Sequence, residues 1–187
     1  MGRLIVSTHV TLDGVIDSIG AWFNTHGEHS WDAAAGRAAF DQLRAADAIL
    51  LGRRTYQDLA PVWPTITDEI GFAAQINAKP KLVASRSPQV ALTWNARQLD
   101  GELVAAVATV KEGTGGHLLS YGCGELAHQL AAGGLVDEVR FWITPVVWGA
   151  GARPFHANAP VGLELLSTTT YDTGIVCLAY RPVTSDG

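Results

Sequence analysis

The sequence predicts an α/β protein with one mixed, mostly parallel sheet, helices on both faces and an antiparallel hairpin at the C-terminal end. Three observations support this fold class. Short apolar runs rich in β-branched residues alternate with helical patterns over most of the chain. Several of these runs lead directly into glycine-containing turns. The last two runs, residues 163–171 and 175–180, are separated only by Asp172-Thr173-Gly174, which is typical of a hairpin.

The elements alternate regularly in the first half of the chain. Residues 4–11 form a β-branched run that predicts a buried strand, and the Asp-Gly pair after it predicts a turn. Residues 19–30 show no periodicity and are interpreted as a loop. Residues 32–46 have a helical pattern, and residues 47–51 predict the second strand.

The rest of the chain continues the alternation. Its predicted helices cover residues 68–78, residues 103–111 and the stretch from residue 125 onward. Its predicted strands cover residues 81–85, 118–121 and 138–144, and a loop with small residues follows at 145–155.

Composition and charge limit the possible functions. The 187 residues, 48% hydrophobic and 17% charged, predict a single compact domain over residues 1–187. The net charge of −5, without a basic run, argues against nucleic acid as a partner. No apolar stretch approaches the roughly 20 residues of a membrane span, and the N-terminus has no signal-peptide pattern. Cys123 and Cys177 lack the spacing of a metal or redox pair, so we expect a cytoplasmic protein.

The first candidate binding site lies at residues 118–126. An apolar run ends at Tyr121, Gly122-Cys123-Gly124 follows, and a helical pattern starts at Glu125 and Leu126. Such a turn leaves the first backbone N–H groups of the helix without partners, and these donors suit a phosphate. Glycines also let a ligand approach the backbone closely. The alternative is a tight connection without a ligand, and the turn alone does not decide between the two.

Two further strand ends have similar chemistry. The strand at 47–51 ends in Gly52-Arg53-Arg54-Thr55, where Gly52 permits a sharp turn, Thr55 can cap a helix, and two arginines supply positive charge. The strand at 81–85 ends in Ser85-Arg86-Ser87. Because the carboxyl ends of parallel strands meet at one edge of the sheet, three such endings together predict a nucleotide site.

Other chemically interesting residues have plainer alternatives. His9 lies in the first strand, where a core histidine is the alternative to a proton donor. Asp13 either orients a ligand-binding loop or builds the turn. Cys123 lies at a helix N-terminus, which lowers the pKa of a thiol, but without a paired base we interpret it as a small filler. The tryptophans are expected mainly in the core, although Trp22, Trp63 or Trp148 could stack on a flat substrate ring.

Five motifs, in this order along the chain, connect these segments to a known superfamily. They are Val10-Thr11-Leu12-Asp13-Gly14, Leu51-Gly52-Arg53-Arg54-Thr55-Tyr56, Ser120-Tyr121-Gly122-Cys123-Gly124-Glu125-Leu126, Gly134-Leu135-Val136-Asp137-Glu138 and Thr144-Pro145-Val146-Val147-Trp148-Gly149-Ala150-Gly151. Over nearly its whole length the chain resembles the dihydrofolate reductase-like superfamily. The branch that it resembles most is related to the reductase domain of the bacterial riboflavin-pathway deaminase-reductase.

The resemblance implies a three-layer fold that binds NADPH. It places the pyrophosphate on the turns at 52–55 and 122–126, the adenosine near Ser85 and Arg86, and the nicotinamide near the segment from Val10 to Ile16. The expected cofactor-binding residues are Val10, Ile16, Gly52, Arg53, Arg54, Thr55, Ser85, Arg86, Tyr121, Gly122, Cys123, Gly124, Glu125 and Leu126. It also implies a homodimeric reductase that transfers hydride to a small heterocyclic or carbonyl-type substrate.

One position departs from true dihydrofolate reductases, which carry an acidic residue on the first helix to hold the pteridine. By distance from the Gly-Arg-x-Thr turn, that position falls near Gly36. Asp32 lies one turn earlier and is the candidate replacement; the alternative is a solvated carboxylate at a helix N-terminus. The catalytic candidates are therefore Asp32, His9 and Asp13, and folate is not the expected substrate. The alternative function is a nucleotide- or flavin-binding module without turnover.

Overall fold

One eight-stranded sheet runs through the described part of the chain, which in this computed structural model comprises residues 2–17, 20, 22, 33–87, 92–155 and 160–183. Within those residues the strands are β1 Arg3–Thr11, β2 Ala46–Gly52, β3 Lys81–Ala84, β4 Ala96–Gln98, β5 His117–Tyr121, β6 Glu138–Thr144, β7 Gly162–Thr170 and β8 Val176–Val183. The α-helices there are α1 Ala33–Ala45, α2 Arg53–Leu59, α3 Phe72–Ala78, α4 Leu103–Gly113 and α5 Glu125–Ala132, with a short 3₁₀-helix at Trp63–Thr65.

The strands lie in the order β4-β3-β2-β5-β1-β6-β8-β7. In this order, every pair of neighbouring strands from β4 at one edge of the sheet as far as β6 is parallel. Strand β8 is antiparallel to both β6 and β7. The predicted mixed, mostly parallel sheet with a C-terminal hairpin is therefore confirmed. Strand β1 lies between β5 and β6 and is buried over most of its length, as expected for a strand covered on both faces.

Helices cover both faces of this sheet, which gives the three layers expected from the sequence. On one face, Val107 of α4 and Leu130 of α5 share a buried cluster with Val6 of β1. On the other face, Leu43 of α1 and Ile76 of α3 share a cluster with strand residues that point the opposite way. Burial of each such aliphatic side chain contributes roughly 1.5–3 kcal/mol. The two clusters hold the sheet rigid and leave the ends of its strands for other roles.

The helix predicted from residue 68 begins only at Phe72. Asp68 precedes it and accepts hydrogen bonds from the backbone N–H groups of Phe72 (2.8 Å) and Ala73 (2.5 Å). Gly71, the N-cap, has a left-handed backbone with φ of 79°, which side chains disfavour. The acidic residue therefore caps the helix from outside and does not form its first turn.

Two smaller differences have simple causes. Strand β4 has no counterpart in the sequence prediction, because its three residues are too few to show alternation. His128 of α5 is buried together with Ala127 and Ala131, although the leucine spacing along this helix would leave it on the exposed side. The small alanines let this helix pack closely, so its buried side is wider than the leucine pattern indicates.

An ion pair with a buried lysine joins α4 to the segment before β6. The Lys111 ammonium donates to a carboxylate oxygen of Asp137 (2.6 Å) and to the carbonyl oxygen of Leu135 (2.6 Å). The same Asp137 oxygen accepts a hydrogen bond from the backbone N–H of Leu4 (2.6 Å). Asp137 therefore fixes the beginning of β1 beside the beginning of β6.

Candidate functional site

The carboxyl ends of the parallel strands form one edge of the sheet, and the predicted binding turns lie along it. Gly52 at the end of β2 is the register partner of Ala84 at the end of β3. Tyr121 at the end of β5 is the register partner of Ser7 in β1. Across this edge the turns after β3, β2 and β5 and the loop after β1 follow one another in that order. The structure therefore brings together the three turns that the sequence singles out.

The turns after β2 and β5 are in contact with each other. A methyl group placed on Gly122 would lie 3.3 Å from the Thr55 hydroxyl oxygen, and one placed on Gly52 would lie 3.8 Å from a methyl carbon of Leu126. Gly122 has a φ of 87°, a conformation that side chains rarely adopt. Its N–H donates to the carbonyl oxygen of Ser7 (3.1 Å). The two turns thus form one continuous surface beside β1.

Gly52 is not required by the fold itself. Its backbone is extended (φ −70°, ψ 155°), and a side chain there would meet only ordinary van der Waals contact. Since neither backbone strain nor crowding excludes a side chain, the absence of one keeps the space above the turn open. That is what close approach of a ligand to the backbone requires.

The helices that begin at these turns have no side-chain caps. Helix α2 starts at Arg53 with Gly52 as its N-cap, and α5 starts at Glu125 with Gly124 as its N-cap; neither N-cap residue makes a side-chain hydrogen bond. The prediction that Thr55 caps a helix is wrong, because α2 begins two residues earlier and includes Thr55. The carboxylate of Glu125 accepts a hydrogen bond from Gln129 (2.6 Å) along its own helix. The backbone N–H groups in the first turns of α2 and α5 therefore donate no hydrogen bond to the side chain of an N-cap residue.

Three arginines surround this surface. Arg53 and Arg54 follow β2, Arg86 follows β3, and all three are exposed. None of them forms an ion pair with any described residue. Beside Arg86, the Ser85 hydroxyl accepts a hydrogen bond from the Ser87 N–H (3.1 Å) and so shapes the turn after β3. The edge thus carries three cations that form no ion pair with a carboxylate of the described residues.

Cys123 and Tyr121 are enclosed by protein. Cys123 is fully buried, and burial raises the pKa of its thiol to about 12. The expectation that the helix N-terminus lowers this pKa is wrong, because desolvation of the thiolate outweighs the helix dipole. Burial also raises the pKa of the half-buried Tyr121 well above its ordinary value. Cys123 packs in the cluster with Val6, Tyr121 packs against the cluster with Leu43, and neither side chain ionises at neutral pH.

Asp13 holds two loops together. Its carboxylate accepts hydrogen bonds from the Thr11 hydroxyl (2.6 Å) and from the backbone N–H groups of Trp148 (3.0 Å) and Gly149 (2.7 Å). These donors, the Thr11 hydroxyl first among them, lower the pKa of Asp13 far below its ordinary range. A carboxylate so held has no proton to donate at neutral pH. These hydrogen bonds build the turn after β1 and also orient it against the loop at 145–155, so a ligand-orienting role of Asp13 stays a prediction.

The other catalytic candidates differ in how far the structure describes them. His9 is half-buried in β1, and its ring centroid lies 6.1 Å from that of Trp142 on β6. Burial lowers the pKa of His9 to about 4, so its imidazole is neutral at ordinary pH. Asp32 lies outside the described residues. Of the two residues expected near the nicotinamide, Val10 is buried and Ile16 is half-buried.

The sequence predicts the loop at 145–155 but not its hydrogen bonds to this edge of the sheet. Its Val146 carbonyl accepts from the Leu12 N–H (2.8 Å), and its Ala152 carbonyl accepts from the Ile16 N–H (2.9 Å). At its far end the Phe155 N–H donates to the Cys123 carbonyl (3.1 Å). The loop therefore links the segment after β1 to the turn after β5. The glycines at 149 and 151, both with positive φ, were the available sequence signal.

Several other kinds of site are not found in the described part of the chain. No helix there is long and apolar enough to cross a bilayer. No three His, Cys, Asp or Glu side chains of the described residues come together as metal ligands. Cys123 and Cys177 are both free thiols.

Comparison with known proteins connects this architecture to a family. The sequence model of the RibD C-terminal domain matches residues 3–177. Protein YyaP of Bacillus subtilis (strain 168), itself uncharacterized, is 30% identical over 184 residues, which are 96% of this chain and 94% of YyaP. A pyrimidine reductase-like protein from Corynebacterium diphtheriae superposes with a TM-score of 0.66 and 15% identity, over 98% of this chain and 92% of its own.

A dihydrofolate reductase has the same fold. The Enterococcus faecalis enzyme, complexed with NADP(H), superposes with a TM-score of 0.62 and 12% identity, over 97% of each chain. At such low identity the two solved structures establish the fold alone, which is dihydrofolate reductase-like. The sequence model and YyaP establish more, because both match nearly the whole chain. The chain belongs to the RibD C-terminal domain family.

Proposed function

We propose that the protein is an NADPH-dependent reductase that transfers hydride to a small heterocyclic or carbonyl-type acceptor. The observation that carries this proposal is the contact between the turns after β2 and β5, where Gly122 meets Thr55 and Gly52 meets Leu126. Two uncapped helix starts at adjacent strand ends offer N–H donors to a pyrophosphate from two sides. The names of two structural relatives agree, since one is a pyrimidine reductase-like protein and the other is a reductase complexed with NADP(H).

The residues present fit this cofactor. Gly52 leaves open the space that a pyrophosphate would occupy, and the first-turn N–H groups of α2 and α5 would hold it. Arg53, Arg54 and Arg86 are exposed and free of ion pairs with described residues, so they can pair with the 2′-phosphate of the adenosine ribose. When bound, NADPH supplies the hydride for the reduction. The chain itself needs only to bind the cofactor, orient the acceptor and exclude water.

In this proposal, the nicotinamide end of the cofactor lies beside β1. Strand β1 is the neighbour of β5, and the Gly122 N–H donates to Ser7 of β1. The loop after β1 and the loop at 145–155 then close this end of the edge. His9 is neutral at ordinary pH, so it can donate a hydrogen bond to an acceptor but carries no extra proton. The proton that completes the reduction then comes from water or from another side chain.

Equilibrium binding of NADPH to a Gly52→Val variant tests the proposed function. Valine suits the extended backbone at this position, and a Cβ atom there meets only ordinary van der Waals contact, so we expect the fold to persist. Its branched side chain would fill the space above the two turns, and we expect NADPH affinity to fall by tenfold or more. Gly115→Val is the matched control, because Gly115 is also uncrowded but lies before β5, at the opposite end of the strand. Equal NADPH affinity in wild type and Gly52→Val would contradict the proposal.

We further propose that the protein acts as a homodimer in the cytoplasm. Every residue of β7 is exposed, and β7 forms an edge of the sheet. Such an edge with exposed leucines is unfavourable in an isolated chain. Both cysteines are free thiols, which suits a reducing compartment.

A further inference from the structure

Three large apolar side chains stand exposed at the end of β1 and β6. Leu12 is 66% exposed, Val147 is 72% exposed and Trp148 is 37% exposed. They lie on two loops that meet, because the Leu12 N–H donates to the Val146 carbonyl (2.8 Å). We call Leu12, Val147 and Trp148 the apolar lip. An exposed group of this kind on a well-packed protein indicates a binding surface.

The apolar lip is held rigidly. The Asp13 carboxylate, directly after Leu12, binds the backbone N–H groups of Trp148 and Gly149. These are charge-assisted hydrogen bonds at 3.0 and 2.7 Å, the stronger class of hydrogen bond. A surface that is already ordered loses little conformational entropy when a ligand binds to it. Asp13 therefore acts on a ligand only through the lip that it positions.

Charge around the apolar lip is sparse. The two loops, residues 12–17 and 145–155, contain three charged side chains, Asp13, Asp17 and Arg153. Asp13 is engaged with the loops themselves, and Arg153 lies beside the turn, where a methyl group on Gly14 would be 3.0 Å from its guanidinium. The cations of the edge are instead at Arg53, Arg54 and Arg86, on the other side of the turn after β5. Within these two loops, the lip presents apolar surface without a cluster of cations for a phosphate.

We infer that the apolar lip binds the flat, uncharged ring of the acceptor and that Asp13 is its positioning residue. The inference rests on the proposed function, because it assigns the acceptor to the space between the lip and the cofactor turns. The acceptor class is an uncharged planar heteroaromatic or quinone-type carbonyl compound, as opposed to a phosphorylated one. A ring of this shape gains from stacking on Trp148 and from removal of Leu12 and Val147 from water.

Calorimetric titration of phenanthrenequinone and its sulfonate tests the inference without turnover. The two probes share one flat ring system and differ by one negative charge. We expect the wild-type protein, with and without bound NADP⁺, to bind the uncharged probe at least as tightly as the sulfonate. Trp148→Ala should weaken binding of the uncharged probe by about tenfold, the order expected for loss of one aromatic contact. Val147→Ala should also weaken binding of the uncharged probe, and Val62→Ala, at an exposed valine outside both loops, is its control.

The Asp13→Asn variant distinguishes a role of Asp13 in positioning the lip from a general contribution to the stability of the protein. Asparagine keeps the size of Asp13 but replaces one acceptor oxygen with a donor that faces a backbone N–H, so the lip should lose its position. We expect weaker quinone binding with unchanged NADP⁺ affinity, measured well below the melting temperature. A purely structural role would weaken both or neither. Preference for the sulfonate, or unchanged quinone affinity in Trp148→Ala and Asp13→Asn, would overturn the inference. Failure to bind NADP⁺ alone would instead refute the proposed cofactor.

Discussion

At the scale of single residues, we expect the arginines beside the turns after β2 and β3 to set the preference between nicotinamide cofactors. NADPH and NADH differ by the adenosine 2′-phosphate, and Arg53, Arg54 and Arg86 are exposed cations without ion pairs to described residues. A charged hydrogen bond contributes roughly 1.5–3 kcal/mol, and about 1.4 kcal/mol is tenfold in affinity. We therefore expect NADPH to bind about ten- to a hundredfold more tightly than NADH.

Titration of both cofactors into single arginine variants checks this preference. Arg53→Ala, Arg54→Ala or Arg86→Ala should lower NADPH affinity and leave NADH affinity nearly unchanged, because only NADPH carries the extra phosphate. Arg181→Ala on β8, at the far side of the sheet, serves as the control. Equal affinity of wild type for NADPH and NADH would show that these arginines do not bind the 2′-phosphate.

His9 makes the stability of the protein sensitive to acid. Burial lowers its pKa from the ordinary value of 6.5 to about 4 in the folded state. As pH falls below 6.5, the unfolded chain binds a proton that the folded chain does not, so stability decreases between pH 6.5 and 4. Above this window the imidazole is neutral in both states, and His9 adds no pH dependence.

Urea unfolding of wild type and His9→Gln on both sides of this window measures the effect. We expect the variant to lose less stability than wild type between neutral pH and about pH 5, because glutamine does not titrate. The comparison at neutral pH gives the loss of packing, which is independent of the proton. An equal loss in the two proteins on acidification would show that His9 is protonated in the folded state.

At the scale of elements, Asp137 joins α4, β1 and β6 through one carboxylate. It accepts from the Lys111 ammonium and the Leu4 N–H, and Lys111 is almost fully buried. Among the described residues, Asp137→Ala would leave the buried Lys111 ammonium with the Leu135 carbonyl as its one remaining acceptor. Because the aspartate side chain is itself partly exposed, we expect a loss of about 2–3 kcal/mol, below the range for a fully buried pair.

The exposed pair of Arg44 and Asp41 on α1 gives a matched control for this prediction. Both of its side chains are more than half exposed, so Asp41→Ala should change the free energy of unfolding by less than about 1 kcal/mol. Urea denaturation of the two variants measures the difference. Equal losses in Asp137→Ala and Asp41→Ala would mean that water screens the pair at Lys111 as well.

The elements that the sequence predicts well are those with local signals. The turns at Gly52 and Gly122 could be found because a strand that runs into glycine and then a helix has a short, recognisable pattern. The pairing of Asp13 with Trp148 and Gly149 could not, because it joins residues far apart in the chain. The raised pKa of Cys123 could likewise not be predicted from the sequence, since it depends on burial by distant elements.

For the whole molecule, the C-terminal hairpin is the surface that remains to be covered. Strand β7 pairs with β8 on one side and has no other strand beside it in the described part of the chain. Its nine residues are all exposed, and the exposed apolar side chains of the hairpin are Leu163, Leu165, Leu166 and Val183. A long edge strand with apolar residues is a ready template for pairing with another chain. A second copy is the partner that the proposed homodimer supplies, with the same surface on both subunits.

Light scattering at micromolar protein concentration checks this assembly. We expect the mass of a dimer for wild type and for Val62→Lys, which places a charge on an exposed valine outside the hairpin. Leu165→Lys should shift the mass to that of a monomer, because pairing through β7 would bring two lysines into an apolar contact and desolvate them. A dimeric Leu165→Lys would move the interface to another surface. A monomeric wild type would refute the homodimer and would leave the leucines of β7 exposed to water in the working protein.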